Sequence, residues 1–167
     1  MRYTSVAVAA ALALVSIGTS LSGQAAPAVV DARSMELLAQ AKAARAAGNL
    51  DTAADLLESS VTVDPANRQA FVLLGEVAAQ RGLPGKAIRY YREALTLDPN
   101  DVAALQGQGA ALVQKGAVER AKQNLAKIRT LCRGACPPAT TLAAAIVKGP
   151  PIATAQVTKP KPVAAAE

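Results

Sequence analysis

Two cysteines, Cys132 and Cys136, are the residues whose type and spacing most directly suggest chemistry. They could form a structural disulfide, act as a reversible redox pair, or supply thiolates to a metal site. Redox pairs usually have two intervening residues and this pair has three, while a metal would lack two further ligands. A structural disulfide is the favoured interpretation, a redox pair is the alternative, and no metal site is expected.

A disulfide between these positions requires a break in any helix that contains them. Residues four apart on an intact helix have Cβ atoms about 5–6 Å apart, whereas a disulfide needs about 3.5–4.5 Å. Gly134 permits such a break, and Pro137-Pro138 indicates that a new helix starts just afterwards. The pair is therefore predicted to pin a turn that leads into a last short helix over 139–147.

Residues that could perform catalysis are few. The sequence has no histidine, so the commonest general base and the commonest zinc ligand are missing. The carboxylates of Asp51, Asp55 and Glu58 lie close together in sequence, but Asp51 is expected to cap a helix and the other two to lie on an exposed face. No phosphate-binding glycine loop or serine-nucleophile motif is present. We expect no enzyme activity and no cofactor.

The elements that carry these residues follow a repeat of 34 residues. Gly48 recurs as Gly82 and Gly116, and Asp64-Pro65 recurs as Asp98-Pro99. Between these markers the apolar residues are spaced three and four apart, which is typical of amphipathic helices. Each repeat is therefore predicted to be two helices joined by a turn.

The second repeat, Arg68 to Asp101, resembles the tetratricopeptide repeat family, with Ala78 where the family usually has a tyrosine. Its signature positions hold Phe71, Leu74, Gly75, Ala78, Ala87, Tyr91, Ala94 and Pro99. The first repeat, Ser34 to Asn67, and the third, from Val102 to about Leu131, match less completely. The resemblance implies an all-α fold: a right-handed α-solenoid of about three helical hairpins plus a C-terminal capping helix.

The ends of the chain differ from the repeat in composition. Residues 1–26 have a basic start, an apolar run and small residues, the pattern of a secretory signal peptide cleaved between about Ala25 and Ala28. An uncleaved anchor is disfavoured because the apolar run is too short to span a bilayer. We expect a linker over 27–33, a repeat domain with its capping helix over 34–147, and a disordered Pro/Ala/Lys tail over 148–167. The predicted location is the periplasm, with secretion as the alternative.

Partners of the family that the chain resembles usually bind in a concave groove lined by the first helix of each hairpin. Transferred by position, the predicted groove contains Met35, Leu38, Lys42, Arg45, Gln69, Val72, Glu76, Gln80, Gln106 and Gln114, with Ala79, Ala103 and Ala110 between them. Such a surface suits an extended peptide or helix better than a small molecule. The resemblance therefore implies a non-catalytic scaffold or adaptor of the cell envelope that binds another protein.

The net charge of +6 leaves other classes of partner to be weighed. Six cations between Lys115 and Arg133, opposed only by Glu119, are interpreted as a solvated helix face. Nucleic acid is not expected because that region has no aromatic platform for bases, and no integral membrane segment is expected in the mature chain. Two alternative functions stay open: a redox-responsive protein that uses the cysteine pair, and a structural component that self-assembles end to end.

Overall fold

The computed structural model describes residues 29–151, which fold into seven α-helices without a strand in that range. The predicted signal peptide and all but the first four residues of the predicted tail lie outside the described residues. None of the described helices is long and apolar enough to cross a membrane. The helices are α1 Ala32–Ala46, α2 Leu50–Val63, α3 Arg68–Gln80, α4 Pro84–Leu97, α5 Val102–Gln114, α6 Val118–Leu131 and α7 Pro137–Lys148.

Helices α1 to α6 form three consecutive hairpins, as the repeat predicts. Each helix packs on its neighbour in sequence, and the first helices of successive hairpins, α1 with α3 and α3 with α5, also touch. Among residues 29–151, the backbones of α2 and α4, and those of α4 and α6, stay more than 8 Å apart. The first helices are therefore crowded on the inner side of the array, and the second helices spread apart on its outer side.

The ends of the helices follow from local backbone chemistry. Gly48, Gly82 and Gly116 follow the first helix of each hairpin with φ of 81°, 70° and 76°, a left-handed conformation in which a side chain would be strained. Asp101 caps α5, because its carboxylate accepts a hydrogen bond of 2.8 Å from the amide of Ala104.

The prediction that Asp51 caps α2 is wrong. The helix already begins at Leu50, so Asp51 lies in its first turn, and no side chain caps that helix. Its carboxylate instead lies 2.7 Å from the guanidinium group of Arg81. A negative charge near the positive end of a helix dipole remains favourable there without a capping hydrogen bond.

The core between the hairpins consists largely of small residues that allow close approach of the helices. Ala53, Ala87 and Ala121 are fully buried at the same position of the second helix in each hairpin, and Ala41 is fully buried on α1. Larger side chains such as Leu57, Leu74, Leu112 and Ile128 fill the remaining space. Because alanine side chains are small, the helix backbones can approach one another closely at these positions.

Helix α7 closes the array by packing on α5 and α6. Leu142 is fully buried against Gly109, where an added Cβ atom would lie 2.6 Å from the Cδ2 atom of Leu142. Ile146 is half-buried in the same contact, one turn further along. We expect Val147, like Leu142 and Ile146, to cover this end because all three are apolar, but Val147 is 88% exposed, since it lies five residues from Leu142 and so on another face of the helix.

Candidate functional site

A depression of about 420 Å³ crosses the inner side of the array, from α1 over α3 to α5. It combines charged and amide side chains with an apolar floor. The residues that line it are Lys42, Arg45, Arg68, Gln69, Val72, Leu73, Glu76, Asp101 and Ala103. The structure therefore brings together five of the ten predicted groove residues: Lys42, Arg45, Gln69, Val72 and Glu76.

An ion pair across the groove connects α1 to α3. A terminal nitrogen of Arg45 lies 2.6 Å from the carboxylate of Glu76, and both side chains are about one-third exposed. The Nε atom of Arg45 also donates a hydrogen bond of 3.2 Å to the side-chain oxygen of Gln80. Arg45 is thus oriented by two partners on α3 and forms one wall of the groove.

Lys42 differs from Arg45 because it has no protein counter-charge. It is exposed, and among residues 29–151 no carboxylate lies within 4.0 Å of its ammonium group. An ammonium in this position can accept an acidic group from a partner without first breaking an internal ion pair. Lys42 is therefore the side chain in the groove best placed to recognise a carboxylate.

Sequence reasoning missed a second ion pair that forms the opposite wall. Arg68 at the start of α3 pairs with Asp101, which is 7% exposed and caps α5. One repeat earlier, Asn67 caps α3 and donates a hydrogen bond of 2.8 Å from Nδ2 to Oγ of Ser34. Both contacts join the same two repeat positions, so the shift of 34 residues was the signal that could have predicted the pair.

Two predicted groove residues belong to other parts of the molecule. Leu38 is a correction: it is 1% exposed and packs in the core with Leu57 and Leu74, so no partner can touch it. It lies on the same face of α1 as the buried Ala41, three residues further on. Met35 lies near the start of α1, is 40% exposed, and has its sulfur 3.9 Å from Nδ2 of Asn67.

The predicted groove also divides along its length. Gln114 lines a second depression of about 490 Å³ between α5 and α7, together with Ala110, Val113 and Ala145. Residues 148–151 form one side of it. Gln106 lies half-buried on α5, and Gln80 lies beside Lys42 and Arg45 at the other end. The inner side thus has a charged half at the first two hairpins and a more apolar half near α7.

Two of the three carboxylates that lie close together in sequence make structural contacts, and the third, that of Asp55, is exposed. Glu58 accepts a hydrogen bond of 2.9 Å from the hydroxyl of Tyr90, and Asp51 pairs with Arg81. Burial, and next the charge of Glu76, raise the pKa of the Tyr91 phenol well above its usual value, so this group stays neutral near pH 7. These positions therefore act in packing one helix on another.

The cysteines lie between α6 and α7. Cys132 follows the last residue of α6 and Cys136 precedes the first residue of α7, so the helix breaks between them as predicted. Gly134 adopts φ of 108° in the connection. The Sγ atoms lie at bonding distance and the Cα atoms 6.0 Å apart, within the range that disulfides span.

The sequence matches a known family and a known protein. The family described as Tetratricopeptide repeat matches residues 38–102 and 84–127, which together span more than half of the chain. The cellulose synthase operon protein C of Xanthomonas axonopodis pv. citri (strain 306) is 36% identical over 94 residues. That match covers 56% of this chain and 6% of the relative, so the chain spans a small part of the relative's length.

Solved structures share the arrangement of the helices. The first tetratricopeptide repeat domain of Spaghetti (RPAP3), bound to the HSP90 peptide SRMEEVD, superposes with a TM-score of 0.66 at 20% identity. The match covers 73% of this chain and 97% of that one. The Yersinia enterocolitica type III secretion chaperone SycD, in complex with a peptide of the translocator YopD, gives 0.61 at 20% identity, covering 68% and 92%. At these identities the likeness shows a common fold.

Proposed function

Because the chain belongs to the tetratricopeptide repeat family, we propose that it is a non-catalytic scaffold of the cell envelope that holds a segment of another protein in its groove. The observation that carries this proposal is the depression across α1, α3 and α5, where five side chains placed by repeat position converge. Peptides bound by two structural neighbours, the RPAP3 domain and SycD, support the same use of the fold.

The lining of the groove suggests the chemistry of the bound segment. The ammonium group of Lys42 favours an acidic residue, and Gln69 offers an amide that can hydrogen-bond an extended backbone. Val72 and Leu73 supply an apolar floor beside them. The segment proposed here is extended and combines an acidic side chain with small apolar ones.

The location in the cell envelope rests on the sequence pattern of residues 1–26. An exported chain meets an oxidising compartment, in which paired cysteines are normally oxidised. We therefore propose that Cys132 and Cys136 form a structural disulfide that holds the start of α7. A redox-responsive pair is the second candidate function, supported by the bonding distance of the two Sγ atoms and by their partial exposure.

A site-specific crosslink tests the groove proposal. A photoreactive amino acid at Gln69 is expected to capture a partner in cells, and mass spectrometry would identify it. Lys42→Glu should weaken capture because it opposes an acidic group, whereas Lys86→Glu, the same charge change on the exposed surface of α4, should not. Circular dichroism checks that all variants remain helical. Equal capture by the two variants, or capture only from an outer helix, would remove the groove as the binding site.

A further inference from the structure

Charge is distributed unevenly along the array. Residues 29–114 contain eight lysines and arginines and ten aspartates and glutamates, a net charge of −2. Residues 115–151 contain seven lysines and arginines and one glutamate, a net charge of +6. The molecule is therefore electrically polarised, with its positive end at the third hairpin and the closing helix.

Helix α6 carries much of this positive charge in two rows. Arg120 and Lys127 are seven residues apart, which aligns them along one edge of the exposed face at a spacing of about 10.5 Å. Lys122 and Arg129 are aligned in the same way along the other edge. The surface between the rows is exposed and bears the short or uncharged side chains Gln123, Ala126 and Thr130, besides Glu119.

The protein leaves most of these cations without a counter-charge. Among residues 29–151, only Lys122 of the four has a carboxylate within 4.0 Å, that of Glu119 at 2.8 Å. By contrast, Arg45, Arg68 and Arg81 of the first two hairpins each pair with a carboxylate that is distant in sequence. The charge of α6 is thus available to an external anion.

We propose that α6 docks the array onto an anionic lipid bilayer. The helix belongs to the outer layer, in which the backbones of neighbouring second helices stay more than 8 Å apart, and its outward face is exposed, so it can meet a broad surface instead of enclosing a segment. Two rows of cations, three of whose four members have no carboxylate within 4.0 Å among the described residues, complement a plane of closely spaced phosphates. A nucleic acid is a poorer fit, because no aromatic residue follows Tyr91 that could stack on bases.

The polarisation also sets the orientation of the docked molecule. An anionic plane attracts residues 115–151 and repels the net negative first two hairpins. Lys42 and the groove around it then remain accessible to a partner. This docking is independent of the groove, so failure of one leaves the other intact.

Vesicle binding by the chain from residue 27, the form expected after signal cleavage, tests the proposal. Vesicles of phosphatidylglycerol with phosphatidylcholine should bind the chain, and vesicles of phosphatidylcholine alone should not. Binding should weaken between about 0.01 M and about 1 M salt, where the screening length falls from roughly 30 Å to roughly 3 Å. The double variant R120E/R129E should bind at least roughly 30-fold more weakly, since each cation near such a surface contributes about a fivefold gain and the two new carboxylates are repelled.

A matched control variant distinguishes binding through α6 from an effect of net charge alone. R89E/R92E makes the same change of charge at exposed positions of α4 and should bind the anionic vesicles nearly as well as the native chain. Equal weakening of both double variants would show a non-specific charge effect and overturn the assignment to α6. Binding to a soluble polyanion such as polyphosphate, without binding to anionic vesicles, would assign the face to a soluble polyanion and also overturn the proposal.

Discussion

The ring of Tyr91 lies directly against the backbone of Gly75, so close that an added Cβ atom would meet its Cε1 atom at 2.6 Å. The same ring also lies against Gly107 on the next hairpin. Tyr91 therefore packs α4 against both α3 and α5, and its ring fits because Gly75 and Gly107 have no side chains.

Gly75→Ala is expected to destabilise the fold by about 1–3 kcal/mol, because the rigid ring of Tyr91 cannot move away without repacking. Gly85→Ala is the control: nothing lies within 4 Å of its added Cβ atom, and alanine favours a helix over glycine. Urea unfolding followed by circular dichroism measures both changes. A loss of stability no larger for Gly75→Ala than for Gly85→Ala would contradict the packing of Tyr91 described here.

Asn67→Ala is expected to cost about 2–4 kcal/mol. The side chain is 1% exposed, caps α3 and donates hydrogen bonds to the hydroxyls of Ser34 and Ser60, so its removal takes away the cap and two buried hydrogen bonds and leaves a cavity. Asn49→Ala changes the same residue type at the start of α2, where no side-chain capping bond exists, and should change stability by about 0.5 kcal/mol or less. Thermal and urea unfolding measure the difference. Similar effects of the two variants would show that the buried hydrogen bonds of Asn67 contribute little.

Alkaline pH is expected to destabilise the protein through Tyr91. Its pKa is raised in the folded state by burial, and then by the charge of Glu76, above the value near 10 of the unfolded chain. The folded state therefore binds the proton more tightly, and this contribution is fully present below about pH 10 and is lost as the pH rises towards the folded pKa. Tyr91→Phe should flatten the decline in unfolding free energy above about pH 10.

Tyr90→Phe serves as the comparison for that experiment. The pKa of Tyr90 is also raised, by burial first and by its hydrogen bond to Glu58, but the residue is only half-buried. The variant should therefore keep most of the alkaline decline. If Tyr90→Phe flattens the decline and Tyr91→Phe does not, the burial of Tyr91 is not its cause.

Replacing both Cys132 and Cys136 by serine is expected to reduce stability by about 2 kcal/mol, as the chain-entropy model gives for so short a loop. The effect should be local, with faster hydrogen exchange in α7 and little change in α1 or α3. Alkylation of the denatured native chain should modify no thiol if the disulfide is present. Ready reduction at periplasmic potentials would favour the redox alternative over the structural one.

The fold could be predicted from the sequence because glycine and proline act locally. Gly48, Gly82 and Gly116 each need the left-handed backbone that ends a first helix, whatever surrounds them. Proline at the first position of α4 likewise suits only a helix start. Such signals require no knowledge of distant contacts, so the three hairpins and the closing helix emerged correctly.

The site was predicted less completely because its residues depend on the rotation of each helix and on its partners. Leu38 and Lys42 lie four residues apart on α1, yet the first is buried in the core and the second is exposed. A two-residue difference in helix start likewise placed Asp51 in the first turn, beside Arg81, instead of at a cap. Which carboxylate meets Arg45 or Arg68 is decided by how neighbouring hairpins pack, which a single sequence does not reveal.

The hydrogen bond from Asn67 to Ser34 and the ion pair of Arg68 with Asp101 each join the last position of a 34-residue unit to its first. Each of these two units therefore contains both partners of the contact that joins its ends. The units are interchangeable modules, with boundaries between Asn67 and Arg68 and between Asp101 and Val102. A designer could duplicate the second module without inventing a new junction. The third unit begins with Val102 and has Ala135 at the equivalent last position, and these side chains cannot form a hydrogen bond or an ion pair. Helix α7 covers the end of this unit instead.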